Sequence, residues 1–211
     1  VAPFAWRLAD RLKADGFDCT LVLEAYLPYG RMPEIAIPDN VNVQDSRAGP
    51  WSICTPSTLH RHNREIAEWA EKVGRKVWLW TYTCKVDCFN VGMPDVPQMT
   101  PRIWGEYYKS LRETIVGAFS ESESDRWLYN HLNYYVFSKV CWDTKTDVNA
   151  LLDEHYRLMY GAGAPFVKRF FEALEHKWIR EIEVDMKDSP IGPAVAHAPS
   201  EKEVWTTVYS T

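Results

Sequence analysis

Glu121 and Glu123 flank a single serine in the stretch Thr114–Trp127, TIVGAFSESESDRW. Two carboxylates at this spacing are the side chains in the sequence best suited to acid–base work. A glycosidase needs one carboxyl to donate a proton and a second to act as nucleophile or base. Burial or a like-charged neighbour keeps one of such a pair protonated near neutral pH. On an extended strand, residues i and i+2 point to the same side with Cα atoms about 6–7 Å apart, a separation that does not choose between retaining and inverting chemistry. A solvated loop carrying two surface acids is the alternative reading of the same residues.

Aromatic side chains supply the second half of a saccharide site, because a flat apolar face with a polar edge stacks on a sugar ring. Tyr26, Tyr29, Trp80 and Tyr82 fall at or just beyond strand ends, and Trp127 begins the segment after the acidic loop. These five and Asp45, which follows a short strand, are the candidate substrate-binding residues; barrel filling for the aromatics and an Asx turn for Asp45 are the structural alternatives. His60 and His62 invite a zinc reading, but no third ligand stands at a convincing spacing. Cys84 and Cys88 form a C-x3-C pair with no second pair. No glycine pattern fits a phosphate cradle, and no cofactor or metal is expected.

The elements that would position these residues follow from hydrophobic periodicity. Helices are expected over Pro3–Asp15, closed by Gly16, over Arg61–Val73, closed by Gly74, and from Pro101 with Thr100 as cap. Strands are expected over Cys19–Leu27, Val41–Gln44, Lys76–Thr83 and Ile115–Phe119. Ser124 is a candidate N-cap for a helix over Asp125–Trp142. Further helices read from Asp147 to Tyr160 and from Pro165 to Val184, followed by an irregular tail from Asp188. Apolar strands without clean alternation, joined by helices, imply a parallel sheet buried on both faces. Long loops after strands and short ones before them place a ligand site at the carboxyl ends of the strands. Four such strands make half of an eight-stranded barrel.

Composition narrows the partners. The 211 residues are 46% hydrophobic and 25% charged with a net charge of −5, enough for one sizeable core. The charge balance and the lack of a basic stripe argue against nucleic acid. No apolar run is long enough to span a bilayer. Five cysteines are an odd set that neither builds a disulfide scaffold nor fixes the compartment. A start at Val1 is consistent with the loss of a leader or of a preceding domain.

Several pieces, taken in order, carry a resemblance. They are Ala25-Tyr26 before a proline-rich loop, Asn40-Val41, Asn63 with Trp69, Val77–Tyr82, Ile115–Phe119, Lys139–Asp143 and Tyr160–Pro165. Their order and spacing resemble the bacterial domain of unknown function family DUF4838, a glycosidase-like barrel family, over about Leu21 to Tyr209. The resemblance implies an α/β fold of the (β/α)8 TIM-barrel type, of which this chain holds the second half, with four parallel strands and appended C-terminal helices. It divides the chain into a half barrel over 1–142, a helical layer over 143–187 and a tail over 188–211 that leads into a further segment. It also implies a secreted or periplasmic protein that handles polysaccharide. The partner would be the N-terminal half barrel of the same protein or a second copy. Where the family carries an acid between a tryptophan and a tyrosine, this chain has Thr81; Glu24, inside the first strand, also departs from the pattern.

Three functions fit these residues. The first is a glycoside hydrolase with Glu121 and Glu123 as its carboxylates. The second is a carbohydrate-binding domain on a barrel that has lost its chemistry, and the third a structural domain of a polysaccharide-degrading protein. A cleft carboxyl tuned to hold a proton distinguishes the first; exposed aromatics without one distinguish the second.

Overall fold

The computed structural model describes residues 2–26, 30–82, 99–121, 127–182, 186–189, 192–195 and 201–210. Its centre is a sheet of four parallel strands in sequential order: β1 Leu21–Ala25, β2 Val41–Arg47, β3 Val77–Tyr82 and β4 Ile115–Glu121. Helix α1 (Ala2–Ala14) precedes β1, α2 (Pro56–Val73) lies between β2 and β3, and α3 (Pro101–Ser110) lies between β3 and β4. Sequential parallel order, with helices between β2 and β3 and between β3 and β4, is compatible with one half of a β/α barrel.

The core lies on one face of the sheet. Ala25, Val43, Val77, Leu79 and Ile115 point there from the strands and meet Ile66 and Trp69 of α2 and Trp104, Tyr107 and Tyr108 of α3. Helix α2 turns Thr58, His62, Ile66 and Trp69 inward at intervals of three and four residues, the spacing of one helical face. Gly74 ends it in the left-handed conformation, its N–H returning to Ala70 and Glu71. The helix opens at Pro56, five residues before the expected start, because proline suits the first turn. The expected cap at Thr100 makes no side-chain capping bond; its own N–H instead donates to Asn133 Oδ1 at 2.9 Å, so the next helix anchors the start of α3.

Strand β2 runs three residues past its expected end, through Asp45, Ser46 and Arg47. Between β2 and α2 a 3-10 turn, Gly49–Cys54, passes close to β3. Gly49 has φ +78°, and a Cβ there would lie 2.7 Å from Thr81 Cβ, so only glycine fits.

Beyond β4, helices α4 (Trp127–Trp142), α5 (Val148–Tyr160) and α6 (Ala164–Lys177) add a layer against α3. Asp147 caps α5 as a true N-cap, accepting from the amides of Asn149 and Ala150. Gly105 of α3 lets α5 approach; a Cβ there would sit 2.5 Å from Val148 Cγ2. The layer is pinned by Arg102, which pairs with Glu172 at 2.9 Å and with Glu175, and donates from Nε to Asn149 at 2.8 Å. The segment expected to be an irregular tail contains an antiparallel pair, β5 Met186–Ser189 with β6 Gly192–Val195, and two short helical turns over 201–208. A two-stranded ribbon tolerates Pro193, whose missing donor would break a central strand. No described helix is long and apolar enough to cross a membrane.

Candidate functional site

Strand alternation sorts the candidates onto two faces. The register aligns Glu24 with Gln44, Trp78 and Gly117 in one row, and Ser46 with Trp80 and Phe119 in the next. Tyr82 and Glu121 pair above them at the carboxyl ends. These residues share the face opposite the helices, the side that would form a barrel's lumen. That face is open: Val22 is 44% exposed, Trp78 37% and Phe119 46%.

Four of the candidates come together at its upper end. Trp80 Nε1 donates to Glu121 Oε2 at 3.2 Å, which fixes the carboxylate beside the indole. The Trp80 and Phe119 rings lie 4.4 Å apart at 54°. Tyr26, one residue past β1, sets its ring 6.3 Å from that of Tyr82 and shares a side-chain hydrogen bond with it. Tyr82 Oη also lies 3.1 Å from Ser46 Oγ. Burial raises the Tyr82 phenol above its ordinary value, with the Tyr26 bond and the charge of Glu121 acting the same way, while Ser46 opposes the rise. The phenol therefore stays protonated and serves as a hydrogen-bond donor through the neutral range.

Asp45 belongs to the other face. It is 1% exposed, and Arg47 Nε reaches its Oδ2 at 2.7 Å, while Arg47 also pairs with Glu65 of α2 at 2.5 Å. Burial pushes the Asp45 carboxyl up to about 6; Arg47 counteracts this, and Glu65 adds to it. Its charge also bears on the buried Tyr107 hydroxyl of α3. Asp45 thus joins β2 to the helices and has no access to the open face. Thr81 faces the same way: it is fully buried, 2.6 Å from Tyr108 Oη, and donates to the Phe119 carbonyl at 3.1 Å. Thr81 therefore packs against α3 and does not touch the open side.

Trp127 begins α4 and stacks on Tyr134, with ring centroids 5.1 Å apart at 14°, and leaves more than half its surface exposed. Glu123 and Tyr29 lie outside the described residues, as do Ser124, Cys84 and Cys88. His62 is buried on α2, and His131 packs with His155 and Phe171 among the later helices. Among the described residues no three histidine, cysteine, aspartate or glutamate side chains gather to hold a metal.

Ser46 and Phe119 are site residues that the sequence reading passed over. Register could have found both, since each pairs directly with Trp80. Ending β2 at Gln44 hid Ser46.

A parallel β/α sheet with an aromatic, hydroxyl-bearing and acidic cluster at its carboxyl end defines the class of protein this chain represents. Within that class, the chain belongs to the domain of unknown function family DUF4838, whose family model matches residues 2–172. No curated protein and no solved structure matches it.

Proposed function

We propose that this chain forms one wall of a saccharide cleft in a glycoside hydrolase built on a β/α barrel, of which the four strands are one half. The observation that carries this reading is the cluster of Glu121, Trp80, Tyr82 and Tyr26 at the carboxyl ends of the strands, on the sheet face away from the helices. That is where β/α enzymes bind their ligands. Trp80 and Phe119 offer apolar ring faces to the sugar, and Tyr82 and Ser46 offer hydroxyls to its polar edge. Glu121, oriented by the Trp80 N–H, supplies one carboxylate. Glu123, two residues on, is the candidate for its partner, and an acid from the remainder of the barrel is the other source. The family resemblance adds an exported polysaccharide-handling protein as the setting.

A substitution series on the intact protein tests this. Glu121→Gln keeps an acceptor for the Trp80 N–H and removes the charge. In a hydrolase it should lower kcat on oligosaccharides by about 10²-fold or more while leaving binding within a few-fold. Trp80→Ala should weaken binding by about ten-fold in either a hydrolase or a binder. Saccharide binding with no hydrolysis by the wild-type protein would move the assignment to a carbohydrate-binding domain. Among the described residues Glu121 is the only carboxylate at the upper end of this face, which is the observation that keeps this second reading open.

A further inference from the structure

The junction of the three later helices holds two histidines that the proposed site does not use. His131 of α4 and His155 of α5 set their rings 5.8 Å apart, and both are half-buried. Tyr135 of α4 lies 4.9 Å from the His155 ring, and Tyr156 and Tyr160 of α5 lie 5.9 and 6.3 Å from it. Phe171 of α6 packs edge-on against His131 at 5.5 Å and lies nearly parallel to Tyr156 at 6.1 Å, so the pair sits where all three helices meet. His155 Nε2 is shut off from solvent and has no hydrogen-bond partner among the described residues.

A neutral imidazole suits this place, because only one of its nitrogens then carries a proton. Protonation turns both nitrogens into donors and leaves the enclosed Nε2–H without an acceptor. It also puts a charge beside a second histidine, and two imidazolium ions at this distance repel. The acids around the junction already have partners. Asp153 is held by Lys168 at 2.6 Å, and Glu172 and Glu175 of α6 by Arg102 of α3; the charges of Arg102 and these three acids bear on the Tyr156 phenol. Glu154, one residue before His155, is more than half exposed and 4.0 Å from Arg157. Lys139, the cation of α4, stands 5.8 Å from the Tyr135 ring. Burial, and after it the charge of His131, lower the His155 pKa below the ordinary histidine value of 6.5. The folded layer therefore binds this proton more weakly than the unfolded chain does. Stability from this group is complete above about pH 6.5 and is lost as pH falls through the lowered folded value.

We propose that this histidine pair makes the helical layer acid-labile: protonation in the histidine range loosens the α5–α6 hairpin from α4 ahead of the central sheet. Loosening lets water reach Nε2 and spaces the two charges. It also bares Tyr156 and Phe171 beside Phe166 and Phe170, which are already exposed, so the acid form presents apolar surface that the neutral form hides. In the sheet Asp45 has the opposite sign, since its raised value favours the folded state in acid.

The test follows the His155 ring by proton NMR. Amide exchange, corrected for the intrinsic effect of pH, follows α5, α6 and the sheet between pH 7.5 and about 5.5. The wild-type His155 ring should titrate below 6.5. Across this range exchange in α5 and α6 should speed at least about three-fold more in wild type than in His155→Gln, with no such difference in β2 and β3. Glu175, whose buried carboxyl acts in the opposite sense, is present in both proteins and cancels. His131→Gln takes away the neighbouring charge. It should raise the His155 midpoint and shrink the acid response of α5 and α6, which a purely packing role for His131 would not do. If circular dichroism shows that His155→Gln does not fold, the wild-type titration and His131→Gln carry the test. A His155 midpoint at or above 6.5 would mean that the tyrosine rings hold the cation, and would overturn the proposal. Exchange in α5 and α6 that responds to acid alike in wild type and His155→Gln would overturn it as well.

Discussion

The two faces of the central sheet use charge in opposite ways. On the helix side the buried carboxylates are met by arginines: Asp45 by Arg47, which also pairs with Glu65, and, one layer out, Glu175 by Arg102. On the open side the acids are Glu24 and Glu121, set among Tyr26, Trp78, Trp80, Tyr82 and Phe119, and no described strand residue there is basic. The first face is finished as a core. The second exposes large aromatics, which on a bare sheet are an aggregation hazard. Four strands with alternating side chains allow one sheet to hold both arrangements, with no residue shared between them.

The largest expected effect lies behind the closed face. Arg102→Ala removes the guanidinium from the mostly buried Glu175 and severs α3 from α5 and α6. Leaving a buried carboxylate unpaired costs about 3–5 kcal/mol, with the lower end expected because Arg102 is one-third exposed. Urea unfolding at neutral pH measures the loss. A loss below about 1 kcal/mol would mean that the ion pairs of the helical layer behave like surface pairs and that the contrast between the faces is overdrawn.

Next in size is a pH effect from Asp45. Its folded carboxyl titrates at about 6, above the ordinary value of 3.8, and burial is the main cause. The folded state therefore holds this proton more tightly than the unfolded chain does. Stability from this group is fully present below about pH 4 and is lost as pH rises through about 6, by at most about 3 kcal/mol. Asp45→Asn should flatten that part of the stability profile, and the wild-type minus variant difference isolates Asp45 from Glu175, whose carboxyl burial also pushes upward. Arg47 keeps Glu65 as its partner in the variant. Stability that rises between pH 4 and 6 in the wild type but not in the variant would show that the Arg47 attraction outweighs burial.

This buried acid also marks where the sequence was and was not legible. The apolar runs of β3 and β4, the amphipathic α2 with its Gly74 stop, and the helix from Asp147 to Tyr160 were all readable, because each is a local signal carried within a few residues. The end of β2 was not. Asp45, Ser46 and Arg47 look like a loop by composition, and they remain in the strand by pairing with Leu79, Trp80 and Thr81 of β3, while Arg47 reaches Glu65, eighteen positions away on α2. That contact is tertiary, so no local propensity announces it. The error carried Asp45 into the candidate site and left Ser46 out of it. Tyr26, Trp80, Tyr82 and Glu121 lie together because β1, β3 and β4 end side by side, with β4 running two residues past its apolar run to reach Glu121. Their common face depends on register, which is fixed by pairing across strands and not by any one of them.

The smallest expected effect is the sharpest test of the contrast, because it asks one substitution to behave in two ways. Val22 and Val77 are both strand valines, the first on the open face and 44% exposed, the second on the helix face and fully buried. Valine to threonine nearly preserves shape and replaces one methyl with a hydroxyl. At Val77 the hydroxyl enters the core with Ile115 and Leu79, and Val77→Thr should cost about 1–3 kcal/mol. At Val22 it meets solvent in the isolated chain, and Val22→Thr should stay within about 0.5 kcal/mol of wild type. On the half-barrel reading proposed above, Val22 would be a lumen residue of the closed barrel, and the same change should there approach the cost seen at Val77. Equal costs at the two positions in the isolated chain would mean that its open face is already covered by a contact between copies. A cost at Val22 that appears only in the closed assembly would locate the rest of the barrel on this side of the sheet.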